Sequence, residues 1–224
     1  GKELQMYKLC IFDLDGTLAD TVESMAYSAN LALKELGLAP LPAENFKYYA
    51  GDGAAELCRR CLADEGGEAA ERYEEFYSLY RKYFGKYCMY QVCPYDGIRE
   101  TLDRLKTAGI RIAVLSNKPH KQAIDVVETL FGAGYFDVIQ GQIDGIPRKP
   151  APGGALKIAG QEKTQPADCL YIGDTGTDML TGSRAGMHTV GVLWGFRTEK
   201  ELWENGAKEV ISKPEELLKI AGVR

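Results

Sequence analysis

Two acids one residue apart, Asp13 and Asp15, sit in the run Asp13-Leu14-Asp15-Gly16-Thr17 at the end of a short apolar stretch. On an extended chain, side chains at i and i+2 project to the same side, so both carboxylates face one direction. Acids that close repel each other unless a cation or a shared proton lies between them. Gly16 allows a sharp turn and close approach to a ligand, and Thr17 adds a hydroxyl and an amide that can meet an anion. Asp-x-Asp by itself occurs in many turns. The preceding strand and the following Gly-Thr-Leu make this one specific.

Three further groups carry weaker signals. Ser116-Asn117 closes another apolar run and offers a hydroxyl and an amide, both suitable donors to phosphoryl oxygens. Lys149, in Arg148-Lys149-Pro150-Ala151-Pro152, can neutralise an anion or steady a carboxylate. Asp174 and Asp178, in Gly173-Asp174-Thr175-Gly176-Thr177-Asp178, suit a hard divalent cation such as Mg²⁺. Each has a plain structural alternative: a strand-to-turn junction, a solvated lysine, a helix cap.

The elements that must position these residues follow from the apolar pattern. Nearly continuous apolar runs at 8–13, 110–117, 169–174 and 189–193 predict strands buried on both faces, with weaker candidates at 136–140 and 209–212. Ile98, Leu102 and Leu105, then Ile124, Val127 and Phe131, repeat at helical spacing, each series closed by a glycine, Gly109 and Gly132. Further helices are predicted near 153–159, 177–185, 200–205 and 214–220. This alternation is the grammar of a doubly wound α/β fold with a Rossmann-like parallel sheet. Residues 19–92 break it. Val22, Met25, Ala29 and Leu33 predict one amphipathic helix, and Tyr73, Phe76, Tyr77, Tyr80, Tyr83 and Phe84 another. A shorter helix is expected over 54–62, and nothing in the stretch alternates like a strand. The expected organisation is a core of residues 1–18 and 93–224, interrupted by an all-helical domain at 19–92.

Taken in order and all at strand ends, Asp13–Thr17, Ser116, Lys149 and Asp174–Asp178 resemble the four motifs of the haloacid dehalogenase-like hydrolase superfamily. The likeness covers essentially the whole chain, and the insert sits where that family carries its type-1 helical cap. The stretches SNKP, RKPAP and GDTGTDMLTGSRAG look most like the phosphoglycolate phosphatase branch. The resemblance implies a Mg²⁺-dependent phosphatase acting on a small phosphate ester. Asp13 would be the nucleophile, Asp15 the acid and base, and Thr17, Ser116 and the Asn117 amide the holders of phosphoryl oxygens. Lys149 would offset charge; Asp13, the Asp15 carbonyl and Asp174 would hold the metal, with Asp178 behind them orienting water or Lys149. An acid two residues after the nucleophile disfavours the transport ATPases, phosphonate hydrolases and dehalogenases of the superfamily. A sugar-phosphate mutase, an inorganic pyrophosphatase and a catalytically retired binding protein are the competing readings.

Composition bounds the rest. In 224 residues, 32 acids against 27 lysines and arginines give a net charge of −5, which argues against a nucleic-acid platform. No apolar run approaches a membrane span, residues 1–5 look like an appended leader ahead of Met6, and a cytoplasmic monomer or homodimer is expected. The six cysteines are expected to be reduced and structural; Cys58-Arg59-Arg60-Cys61 with Cys88 and Cys93 is too loosely spaced to make zinc the favoured reading. The tyrosine stripe is read as helix packing ahead of a ligand-binding wall. Gly51-Asp52-Gly53 is a turn or a loop reaching the site, and Arg59 and Arg60 are expected to face solvent.

Overall fold

The computed structural model describes residues 6–224, so the reading of residues 1–5 as a leader lies outside the described residues. In chain order the elements are β1 (Leu9–Phe12), β2 (Ala19–Asp20), α1 (Val22–Glu35), α2 (Phe46–Tyr49), α3 (Ala54–Glu65), α4 (Tyr73–Tyr87) and β3 (Cys93–Pro94). Then come α5 (Ile98–Thr107), β4 (Arg111–Pro119), α6 (His120–Phe131), β5 (Val138–Gln142), α7 (Gly153–Gln161) and β6 (Cys169–Gly173). The chain ends with α8 (Gly176–Arg184), β7 (His188–Val192), α9 (Glu199–Glu204), β8 (Glu209–Ile211) and α10 (Glu216–Ala221).

Six strands form one sheet in the order β5-β4-β1-β6-β7-β8, every pair parallel. β1 is central: Leu9 pairs with Arg111 on one side and Cys169 on the other, Phe12 with Val114 and Ile172. Its side chains alternate between two cores. Cys10 and Phe12 pack with Leu102, Leu105 and Val127 on one face, while Leu9 and Ile11 pack with Ala155, Ile158 and Met187 on the other. Burial on both faces is why the strand reads as an unbroken apolar run. The chain leaves β1 first towards β4 and β5, then returns to β6 on the opposite side. Strand order therefore reverses at β1, and the crevice beyond its carboxyl end is where an open α/β sheet takes ligands.

Between β2 and β3 the chain is helical. α1 and α4 pack along each other, with Phe76, Tyr80 and Phe84 turned inwards and buried. Each such aromatic contributes roughly 2–3 kcal/mol by leaving water, which makes this stripe the insert's own core. One element escapes the sequence: β2 pairs antiparallel with β3, Ala19 to Pro94 and Asp20 to Cys93, tying the entrance of the insert to its exit. A two-residue ladder is too short to show a period of two, and Pro94 argues against a strand on propensity alone.

Candidate active site

The three strands flanking the switch point deliver the predicted residues to one place. Asp13 follows β1, Ser116 and Asn117 lie in the last third of β4, and Asp174 follows β6. Lys149 reaches in from the β5–α7 connection and is buried, as are Asp13, Asp174 and Asp178. Its ammonium donates to Asp13 Oδ1 at 3.0 Å, Asp178 Oδ1 at 2.8 Å and the Leu115 carbonyl at 3.1 Å. All three donors are used. Burial alone would push the Lys149 pKa down, but the two carboxylates beside it outweigh this and hold it well above the usual lysine range.

Asp13, Asp174 and Asp178 bring one carboxylate oxygen each within 4.8 Å of one another. Burial first, and the neighbouring acids second, raise Asp13 well above the usual carboxylate range and push Asp174 up to about 7. A buried cluster of acids that resists ionisation is what a hard divalent cation relieves, so the donor set fits a metal ion. The Asp15 carboxylate is not part of this cluster. Asp178 has little left to offer a metal: Oδ1 takes Lys149, and Oδ2 accepts from the Asp174 and Thr175 amides and the Thr175 hydroxyl. It is also the N3 partner of Thr175 in the capping box of α8, so this acid both caps the helix and holds Lys149.

Asp15 opens to the same cavity as Asp13. Its Oδ1 accepts from Thr21 Oγ1 at 2.5 Å and lies 3.0 Å from Lys118 Nζ. Ser116 Oγ accepts the Lys118 amide and faces the cavity with its proton uncommitted among the described residues. Two predicted phosphate holders are turned elsewhere. The Thr17 hydroxyl donates to Asp174 Oδ1 at 3.1 Å, and the Asn117 side chain locks the backbone of Lys149 in both directions and holds the Gly51 carbonyl. Both side chains therefore brace other site residues.

Residues outside the predicted catalytic set complete the site, and Trp194 and Phe196 carried no signal in the sequence. Phe196 donates its amide to Asp174 Oδ2 at 2.9 Å, and Trp194 Nε1 donates to the Thr17 carbonyl at 2.9 Å. From the insert, Ala50, Gly51, Gly53, Ala54, Leu57, Tyr80 and Phe84 line a cavity over Asp13 and Asp15. Tyr80 and Phe84 thus serve as both helix packing and cavity wall. Asp52 accepts from Thr177 at 2.6 Å and from Arg60 at 2.6 Å, and Arg197 holds the carbonyls of Lys47, Tyr48 and Ala50. Burial raises the Asp52 pKa, but the Thr177 hydroxyl and the Arg60 guanidinium outweigh it and leave it below the usual range. The Gly51–Gly53 loop therefore reaches the site, and Arg60 braces it, whereas Arg59 lies over the Tyr73 ring at 4.6 Å. Cys58 and Cys61 are buried in the insert with thiols that burial makes hard to ionise, which makes them poor metal ligands.

Gly16 has φ +81°, and a Cβ there would sit 2.0 Å from Asp174 Oδ2. Asp174 cannot yield, since Phe196 and Thr17 hold its two oxygens. Gly16→Ala is therefore expected to weaken metal binding by about 10- to 100-fold and to lower the melting temperature, read by titration calorimetry and thermal unfolding.

Comparison with known proteins agrees with this geometry. The model of the haloacid dehalogenase-like hydrolase family matches residues 10–192. The chain belongs to that family. A phosphoglycolate phosphatase of Aquifex aeolicus is 33% identical, over 95% of this chain and 96% of that protein. The one from Neisseria meningitidis is 35% identical, over 83% and 80%. A crystal structure from Lactobacillus delbrueckii subsp. bulgaricus, provisionally named phosphoglycolate phosphatase, superimposes with TM-score 0.90 at 30% identity, covering 96% of this chain and 98% of that one. The family placement and the phosphoglycolate-phosphatase-like branch read from the motifs agree with these relatives. Among the described residues, no helix is long and apolar enough to cross a membrane.

Proposed function

We propose that the chain is a Mg²⁺-dependent phosphatase that hydrolyses a small phosphomonoester, phosphoglycolate first among them, through an aspartyl-phosphate on Asp13. The observation that carries this reading is the pairing of Asp13 with Asp15 at one cavity, with Lys149 held against Asp13. Asp13 attacks phosphorus in line, and Asp15 gives its proton to the departing ester oxygen. Asp15 then takes a proton from the water that attacks the acyl phosphate, which releases inorganic phosphate and restores Asp13. Ser116 Oγ and the main-chain amide of Asn117 hold phosphoryl oxygens, and Lys149 offsets their charge. Asp13, the Asp15 carbonyl and Asp174 would hold Mg²⁺, which neutralises the dianionic ester and screens it from the acids. Asp178 orients Lys149. Residues 1–18 and 93–224 form the hydrolase core and 19–92 the cap, whose α3 and α4 exclude bulk water from the acyl phosphate.

The direct test is release of phosphate from 2-phosphoglycolate with Mg²⁺ and its loss on chelation. Phosphate-retaining isomerisation of a sugar phosphate would instead select the mutase reading. A pH dependence follows from Asp174. Its folded pKa of about 7 lies above the unfolded value, so below pH 7 the site must shed a proton to take the cation. Mg²⁺ affinity is expected to fall as pH drops through and below about 7, with calorimetry showing proton release. An affinity independent of pH would show that the cluster stays ionised.

A further inference from the structure

Among the described residues, Lys118 and Lys149 are the two buried cations, and they differ in how their donors are used. The Lys118 side chain is 3% exposed, its ammonium lies 3.0 Å from Asp15 Oδ1, and it sits 4.3 Å over the Phe84 ring of α4. Among the described residues it is the one positively charged side chain lining the cavity above Asp13 and Asp15. An ammonium has three donors, and Asp15 is the sole oxygen acceptor of this one among the described residues. A buried cation stable on its own account would have its donors filled, as those of Lys149 are. Lys118 lines the cavity, so its other donors can meet an acceptor that enters there.

The position of that acceptor follows from Asp15. On the proposed reaction, on which this inference rests, Asp15 touches the ester oxygen of the leaving group. Lys118 Nζ is one hydrogen bond from the same carboxylate, so it lies beside the atoms next to that oxygen. An anionic group on the carbon bonded to the ester carbon falls within its reach. The remaining wall beside it is apolar or backbone, with Leu57, Tyr80 and Phe84 above and Gly51 and Gly53 at the side, and offers no second positive charge.

We propose that Lys118 determines substrate specificity: it binds the carboxylate of short 2-(phosphooxy)carboxylates and selects them over esters of neutral alcohols. Phe84 holds the ammonium in place from the insert side, so the reading group and its clamp come from opposite halves of the molecule. Without substrate the ammonium rests on Asp15 alone. With substrate it bridges Asp15 and the carboxylate.

The test compares kcat/KM for 2-phosphoglycolate with that for 2-hydroxyethyl phosphate, an ester of the same length with a neutral hydroxymethyl group in place of the carboxylate, in the wild type, Lys118→Met, Lys118→Gln and Lys118→Arg. The expected result is a wild-type preference for phosphoglycolate that falls by about 10- to 100-fold in the Met and Gln variants, through KM, and is partly kept in Arg. Equal losses on both esters would overturn the proposal, because Lys118 would then act only on Asp15. A wild type that turns over both esters alike would also overturn it, leaving the phosphatase reading intact. A wild type that hydrolyses neither would remove that reading itself and the inference with it.

Discussion

Asp13→Asn is expected to lower phosphomonoester turnover by at least about 10⁴-fold while leaving the protein folded. Hydrolysis of a phosphate monoester is among the slowest uncatalysed reactions, so a site without its nucleophile has little left to fall back on. The amide keeps the shape of the carboxyl, and its oxygen can still accept from the Leu14 amide and from Lys149, contacts that Asp13 makes at 2.7 and 3.0 Å. It also removes a charge that burial and the neighbouring Asp178 and Asp174 already disfavour. The melting temperature of the variant should therefore match or exceed that of the wild type when no metal is present. Rapid quenching with radiolabelled substrate should label the wild type on Asp13 and leave the variant unlabelled. Normal turnover by Asp13→Asn would remove the aspartyl-phosphate reading.

Lys149→Met is expected to do the reverse in part, losing both activity and stability. Lys149 is the common partner of Asp13 and Asp178, and its removal strands two buried carboxylates. Breaking such a pair by removing one member costs about 3–5 kcal/mol, which is on the order of 10 °C in a chain of this size. The loss should depend on pH. The folded-state pKa of Asp13 already lies above its unfolded value, and losing Lys149 raises it further. A carboxyl raised in the folded state favours folding at low pH and withdraws that support as pH rises from the unfolded pKa through the folded one. The gap between variant and wild type should therefore be small near pH 5 and widen towards pH 8. Turnover should fall by about 10²–10³-fold, as expected when one donor to a developing oxyanion is lost. Metal binding should survive, because the variant site is more negative. Thermal unfolding at two pH values, kinetics and calorimetry read the three effects separately.

The proposed division of labour also explains the crowding of charge. Four acids, Asp13, Asp15, Asp174 and Asp178, meet two buried lysines, Lys149 and Lys118. A divalent cation brings the set to balance, and only then can an anionic ester enter. The insert closes this arrangement through backbone contacts. Arg197 holds the carbonyls before Gly51, Asn117 holds Gly51 itself, and Thr177 holds Asp52. These anchors come from three different strand-end regions of the core, so the loop is registered against the same groups that it covers.

The sequence by itself determined the sheet, the helical insert and the acids and lysine that meet at the strand ends. A strand buried on both faces must be apolar throughout, and a strand end that does chemistry must turn abruptly polar. Both demands are local, so Leu9–Phe12 followed by Asp13 is visible without coordinates. The same holds for Cys169–Gly173 followed by Asp174. Side-chain direction is another matter. Thr17 could face a phosphate or Asp174, and Asn117 a phosphate or the backbone of Lys149; the choice depends on partners 157 and 32 residues away. Lys118 beside Ser116-Asn117 has no partner visible along the chain; the fold brings it to Asp15 and lays Phe84 of α4 beside it. Asp52 and Arg197 are ordinary surface residues until the insert folds back over the sheet. Hydrophobic period and motif spacing act along the chain, whereas the pairing of buried charges is settled across it. Tertiary structure alone therefore decided which acids share a lysine, which hydroxyl meets Asp174, and which cation lies against Asp15.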